Sequence, residues 1–363
     1  MRPLKILHLS DDRPGHYHLA EGVIAAIARL TEVEGARLTL SRRWIMPGRY
    51  LRSLANRGLA SGTILRLGYG VDVASLPETD LVVSAGGETL AANIAAARKL
   101  GAANIFCGSI RGVRPDRFSL VVSSYERHAH LPRHLTGLKP CGLDPDDLGR
   151  PRHVPVYGPS YPPKLAGLLV GGDSGFFGYR PEEWGQVFDF ARRVSAEWGT
   201  RWLISTSRRT DPKIAETVFE LAKDKQVVAD FVDYRWAGPG TLERIFGKAD
   251  VILCSEDSST MISEAVWSRL PVVGFSPHKH DFKPEEAEYR DFLTRNNWCR
   301  FLPIGGLTVE RFSAALSEIS PLRANPLDQL AAELKKRLPG LLAGKTPAVR
   351  EAGEAGEENH GQM

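Results

Sequence analysis

Absences narrow the reading of this chain before any motif does. Its 363 residues hold four cysteines, Cys107, Cys141, Cys254 and Cys299, far apart and in no C-x-x-C pair. That spacing argues against a disulfide scaffold and a thiolate zinc site. Three of the four sit in or beside apolar runs, as buried thiols in a reducing compartment do. No apolar run nears the roughly 20 residues that a membrane-spanning helix needs. The opening residues already read as a strand, so no signal peptide is expected and the expected location is the cytoplasm. A net charge of +4 makes no case for nucleic acid as a partner. One stretch, residues 41–70, lacks acid altogether. It carries Arg42, Arg43, Arg49, Arg52, Arg57 and Arg66 among Trp44, Ile45, Tyr50 and Leu54. It reads either as a surface helix packed on a sheet or as a basic amphipathic element. The second reading suits peripheral contact with anionic lipid, or an anionic acceptor.

What is present is an ordinary globular composition, 42% hydrophobic and 25% charged, at a length that suits two domains. Short apolar runs alternate with helical patterns, first at 4–10, 36–40, 80–85, 105–107 and 120–123. The Pro/Gly-rich residues 137–164 break the pattern, with one strand expected near 153–157. The alternation restarts at 165–170 and continues through 202–205, 227–231, 250–254, 271–275 and 299–304. Such alternation predicts open parallel sheets, α/β in class. We expect one domain over 1–150, a linker over 151–164 and a second domain over 165–320. A C-terminal helix is expected within 321–340, and a polar, disordered tail over 341–363.

Polar loops leave the carboxyl ends of these strands, where open α/β sheets bind ligands. In Asp11-Asp12-Arg13-Pro14-Gly15-His16, His16 at a helix N-terminus is the candidate general base, with Asp12 in support. Glu88, in Gly86-Gly87-Glu88-Thr89, competes for that role. Gly171-Gly172-Asp173-Ser174-Gly175 would let backbone approach an anion, although a plain glycine turn looks the same. No Gly-Lys-Ser/Thr follows it and the chain has no G-x-G-x-x-G, which excludes two common nucleotide loops. Arg208 and Arg209, directly after a strand in Thr206-Ser207-Arg208-Arg209-Thr210, suit a diphosphate. The most organised stretch is 255–264, S-E-D-S-S-T-M-I-S-E, between an apolar run and a helix that leads to another apolar run. Its Ser258, Ser259, Thr260 and Met261 open a helix whose free N–H groups attract phosphate. Glu264, one turn further in, could grip the hydroxyls of a ribose. His278, Lys279, His280 and Asp281 fit no standard zinc spacing, and no metal is expected.

In this order the loops resemble those of the peptidoglycan-precursor N-acetylglucosaminyltransferases of the GT-B superfamily. Those enzymes have a Gly-His-ending loop after the first strand and a G-G-S-Q-G-type loop opening the second domain. They also carry an A-D-(apolar)-S-R-x-G-A-x-T-x-x-E run with the same serine-to-glutamate spacing. The closer resemblance is to the Elm-type family of bacterial glycosyltransferase-like proteins, related to a plant mitochondrial fission protein. Its marks are S-D-D-R-P-G-H, ending at His16, T-S-R-R-T, 206–210, and the 255–264 run. The resemblance spans about residues 4–338.

It implies a GT-B fold, two Rossmann-like doubly wound parallel-sheet domains facing a cleft, with a last helix crossing back to the first. It implies a metal-independent, cofactor-free transfer of sugar from a nucleotide-diphosphate sugar, UDP-linked among the candidates. The acceptor would be an envelope glycan or a lipid-linked hydroxyl. The diphosphate would then fall to Gly172, Asp173, Ser174, Thr206, Arg208, Arg209 and the amides of 258–261. Glu264 would take the ribose and the edge from Phe231 and Val232 to Tyr234 the base, and His16 would deprotonate the acceptor. Two departures stand out. Glu256-Asp257-Ser258 replaces R-x-G, so compensating charge has to come from Arg208, Arg209 or Lys279. Asp11-Asp12-Arg13 replaces Gly-Gly-Thr, so the acceptor side differs. A nucleotide-sugar epimerase and a non-catalytic scaffold with a decayed donor site are the competing expectations.

Overall fold

A computed structural model describes residues 2–149, 155–238 and 240–342. The first half runs β1 (Leu4–Ser10), α1 (Pro14–Ala28), β2 (Val33–Thr39), α2 (Gly48–Arg57) and α3 (Ser61–Thr63). It continues with β3 (Leu81–Ala85), α4 (Leu90–Leu100), β4 (Ala103–Cys107), β5 (Leu120–Ser123) and β6 (His134–Thr136). The second opens with β7 (Leu165–Leu169), β8 (Phe177–Gly178), α5 (Pro181–Trp198), β9 (Arg201–Ser205) and α6 (Pro212–Leu221). Next come β10 (Val228–Val232), α7 (Tyr234–Ala237), α8 (Leu242–Phe246), β11 (Val251–Ser255) and α9 (Ser259–Trp267). β12 (Val272–Ser276), β13 (Lys279–His280), α10 (Pro284–Arg295), β14 (Cys299–Pro303) and α11 (Val309–Ser317) complete it, before α12 (Pro326–Arg337) and α13 (Pro339–Leu342).

Six parallel strands form each sheet, in the orders β2-β1-β3-β4-β5-β6 and β10-β9-β7-β11-β12-β14. The central strands are apolar on both faces because helices cover both, as parallel sheets require. This is the expected GT-B arrangement of two Rossmann-like sheets. Strand order reverses between β1 and β3 in one sheet and between β7 and β11 in the other. Ligands of such sheets bind at these switch points. The loops after β1, β3, β7 and β11 are four of those singled out from the sequence.

Two short strands, β8 and β13, pair antiparallel as a small flap that the sequence pattern does not announce. No strand forms at 155–157, and just after it an isolated bridge joins Gly158 to Tyr161; residues 153 and 154 of that expectation lie outside the described residues. The expected tail lies outside them from 343 on, while Leu341 and Leu342 close α13. α12 packs on α1 of the first half. One apolar core is continuous across both halves: Cys141 and Leu143 pack with Trp267, whose indole N–H donates to the Leu143 carbonyl at 2.9 Å. All four cysteines are buried and free. The Arg-rich stretch folds as α2, α3 and a π-helical turn, Ile64–Tyr69, burying Leu51 and Ile64 under the sheet. Each such side chain contributes about 1.5–3 kcal/mol.

Candidate functional site

Pro14 starts α1, its ring fixing the first turn, and places His16 two residues into the helix. His16 Nδ1 lies 2.7 Å from Asp11 Oδ2, and the Asp11 side chain is 5% exposed. The partner is therefore Asp11, not the expected Asp12. Asp12 adopts a left-handed backbone, φ 59°, which sends its carboxylate outward, 72% exposed, to Arg37 at 3.2 Å. An Nδ1–H donated to a carboxylate leaves Nε2 as the acceptor, the tautomer a general base needs. The ring is seated on Gly86, φ +87°, where any Cβ would collide with the imidazole.

Glu88 is removed from the contest. Arg42 Nε donates to it at 2.6 Å, and it is not among the residues lining the chamber that holds His16.

On the facing rim, Ser258 caps α9, its hydroxyl accepting from Met261 N–H at 3.4 Å. Both departures from the R-x-G pattern are neutralised within the fold. Glu256 accepts from Arg290 Nε at 2.6 Å, and its carbonyl takes Arg290 Nη2 at 2.7 Å. The fully buried Asp257 accepts from Arg209 Nε and Nη2 at 2.9 and 2.6 Å. Arg209 is thus structural rather than a free diphosphate clamp. Arg208 is exposed and has no hydrogen bond or ion pair among the described residues.

The glycine loop after β7 also has a different reason. A Cβ at Gly171 would strike Asp257 and Ser255, and one at Gly172 the Arg209 carbonyl. These glycines make room for neighbouring protein, the Asp257 carboxylate among it. Asp173 accepts from Tyr179 N–H at 2.8 Å, and Ser174 lines a cavity. Phe231 packs on the core, and Val232 is buried with its carbonyl taken by Thr206 N–H at 3.1 Å. Of the edge expected to take the base, Tyr234 lines a cavity, together with Thr206.

Three cavities follow the rims. The first, about 510 Å³, is lined by Tyr17, His18, Thr206, Tyr234, Met261 and Glu264. The second, a chamber of about 310 Å³, holds His16, Arg111, Lys139, Ser259 and Thr260. A groove of about 510 Å³ adjoins it through Ser109, Arg111, Tyr125 and Ser259. Between the first cavity and the chamber runs a seam where α1 meets α9. His18 Nδ1 lies 2.9 Å from Glu264 Oε1 there, and Gly15 abuts Thr260. The hydrogen bond to Glu264 raises the pKa of His18 against the lowering effect of burial.

Sequence reasoning missed His18, Arg111, Tyr125, Lys139, Glu286 and Arg290. Lys139, in the stretch read as a connection, is buried and donates to Ser259 Oγ at 2.6 Å and to Glu286 at 3.0 and 3.1 Å. Burial lowers its pKa. Burial also opposes charge on Glu286, but Lys139 and Arg290 outweigh it and hold the carboxyl at about 2. Tyr125 donates to the same carboxylate at 3.1 Å. Arg127 to Glu288 and Arg295 to Glu126 add further ties between α10 and the first half. The one available signal was the start of α10, Pro284-Glu285-Glu286, which marks a helix but not its partners.

The family described as mitochondrial fission ELM1 matches residues 14–338. The chain belongs to that family. No curated protein matches it by sequence. Among solved structures it is similar to the UDP co-structure of Staphylococcus aureus MnaA, 12% identical with a TM-score of 0.52, covering 95% of this chain and 99% of that one. It is similar to UDP-GlcNAc 2-epimerase from Methanocaldococcus jannaschii, 12% identical with a TM-score of 0.52, covering 93% and 100%. Acinetobacter baumannii MurG, at 12% and 0.48 over 93% and 100%, is a more distant likeness. At these identities, what this ELM1-family chain shares with the first two is the fold.

Proposed function

We propose that the cleft binds a nucleotide-diphosphate sugar and that the protein transfers its glycosyl group to a hydroxyl acceptor without metal or cofactor. The observation that carries this is the Asp11–His16 dyad, aimed from one switch point at a chamber whose other wall is the start of α9. In this reading Glu264 takes the ribose, with the base between Tyr234 and Thr206. His16 Nε2 accepts the acceptor's proton as that oxygen bonds to the anomeric carbon. The bond from that carbon to the diphosphate breaks, and the diphosphate leaves with its charge offset by the α9 amides and Arg208.

A lipid-linked acceptor is supported by the acid-free stretch. Trp44 is 89% exposed, and Ile45, Tyr50, Leu59 and Leu67 are exposed beside Arg43, Arg49, Arg57 and Arg66. Aromatics and arginines on one surface suit an anionic lipid interface.

The test is a thermal-shift screen of UDP, GDP, ADP and CMP with their sugars, on the native chain and Glu264→Gln. A ligand at 100 times its Kd adds about 2.7 kcal/mol. One nucleotide should stabilise the native chain, and the variant should lose most of that shift. Silence from all of them would overturn the reading. Incubating the stabilising sugar nucleotide without acceptor separates transfer from epimerisation, which alone would change the sugar.

A further inference from the structure

Arg111, in the loop after β4, holds a left-handed backbone, φ 47°. That conformation costs a non-glycine residue of order 1–3 kcal/mol and persists only when its surroundings fix it. Its guanidinium lies over Gly87, where an added Cβ would run into Cζ and Nη1. Gly87 itself has no left-handed φ, so backbone geometry does not demand glycine there. What a side chain at 87 would displace is Arg111. The adjacent glycines of one loop therefore seat two functional groups, Gly86 the imidazole of His16 and Gly87 the guanidinium of Arg111.

Arg111 lines both the chamber and the groove. Of the other cations at these walls, Lys139 pairs with Glu286 and Arg290 with Glu256 and Glu286, while Lys283 at the groove lies over the Phe176 ring, so in the chamber Arg111 is the cation without a carboxylate among the described residues. Arg111 has no hydrogen bond or ion pair among the described residues. A guanidinium seated without a carboxylate presents its planar fork to an anion, and phosphate oxygens match that fork.

We infer that Arg111 is a phosphate-binding residue, gripping a phosphate that enters the chamber beside His16. This rests on the transfer reading only for the source of the phosphate, which is either the donor's diphosphate or the diphosphate of a lipid-linked acceptor.

Calorimetric titration of the full chain decides it, using UDP, GDP, inorganic pyrophosphate and geranyl diphosphate as probes. The chains compared are native, Arg111→Ala, Arg111→Lys and Gly87→Ala. Arg111→Ala should weaken at least one diphosphate by about 10- to 100-fold, the size of a charge-assisted contact. Arg111→Lys should recover only part, because an ammonium lacks the fork. Gly87→Ala keeps the arginine but evicts it, and should repeat much of the loss with an unchanged melting temperature. A loss confined to UDP or GDP identifies the donor, and one confined to geranyl diphosphate identifies the acceptor. If the native chain binds a probe and Arg111→Ala binds all of them equally well, the inference is overturned. If only nucleotides fail to bind the native chain, the donor reading falls while pyrophosphate and geranyl diphosphate still judge Arg111. Binding of none overturns both.

Discussion

On the second-half rim of the cleft, the charges of the loop after β11 are matched inside the protein, Glu256 by Arg290 and Asp257 by Arg209. On the first-half rim, His16 keeps one ring nitrogen free and Arg111 has no partner among the described residues. Both rims sit at the carboxyl ends of parallel strands and both are rich in glycine and small polar residues. They differ in what their glycines admit. Gly171 and Gly172 let loops of the protein interlock, whereas Gly86 and Gly87 seat the His16 and Arg111 side chains at the cavity wall. Paired buried charge builds the rim, and unpaired charge at a cavity wall is what a ligand meets.

The contrast can be broken most severely at Arg290. Replacing it with Met strands Glu256 in the core and should cost about 3–5 kcal/mol in urea denaturation. A loss below about 1 kcal/mol would mean that pairing on this rim is incidental. Next in size, His16→Gln should lower the rate of sugar transfer by about 10²–10⁴-fold with stability retained. Asp11→Asn should act in the same direction and less strongly.

Acid titration probes the tie between the halves. Glu286 has its pKa depressed to about 2 in the fold, below the ordinary carboxylate value of 4.5. Its stabilising contribution is therefore present above about pH 4.5 and lost as pH falls towards 2. Glu286→Gln should flatten that limb of the stability profile. The smallest effect belongs to Asp12→Asn, expected within about 0.5 kcal/mol of native stability and without change in rate. An Asp12 effect matching that of Asp11 would reverse their assignment.

The doubly wound sheets were legible because two-sided burial leaves uninterrupted apolar runs, and the loops between them stand out by contrast. His16 was legible for the same reason, standing where a strand gives way to a helix. Its partner was not, because Asp11 and Asp12 are chemically alike and only the φ of Asp12 separates them. Gly172 and Gly86 carry the same letter, yet what occupies the space above each, Arg209 or His16, comes from a distant part of the chain. Lys139 and Glu286 meet across 147 residues of chain, and no local pattern couples them. The flap of β8 and β13 is too short to show a period.

The seam between α1 and α9 bears on timing. A nucleotide sugar reaching from the first cavity into the chamber has to part His18 from Glu264 and Gly15 from Thr260, while α10 stays tied to the first half. Entry would then wait on a tilt of one helix away from another, and association would be slower than to an open site, as it is wherever binding requires a conformational change. Release waits on the same movement. Once the helices close again, the ligand is held for as long as the next opening takes, and residence time becomes a property of the protein's own breathing.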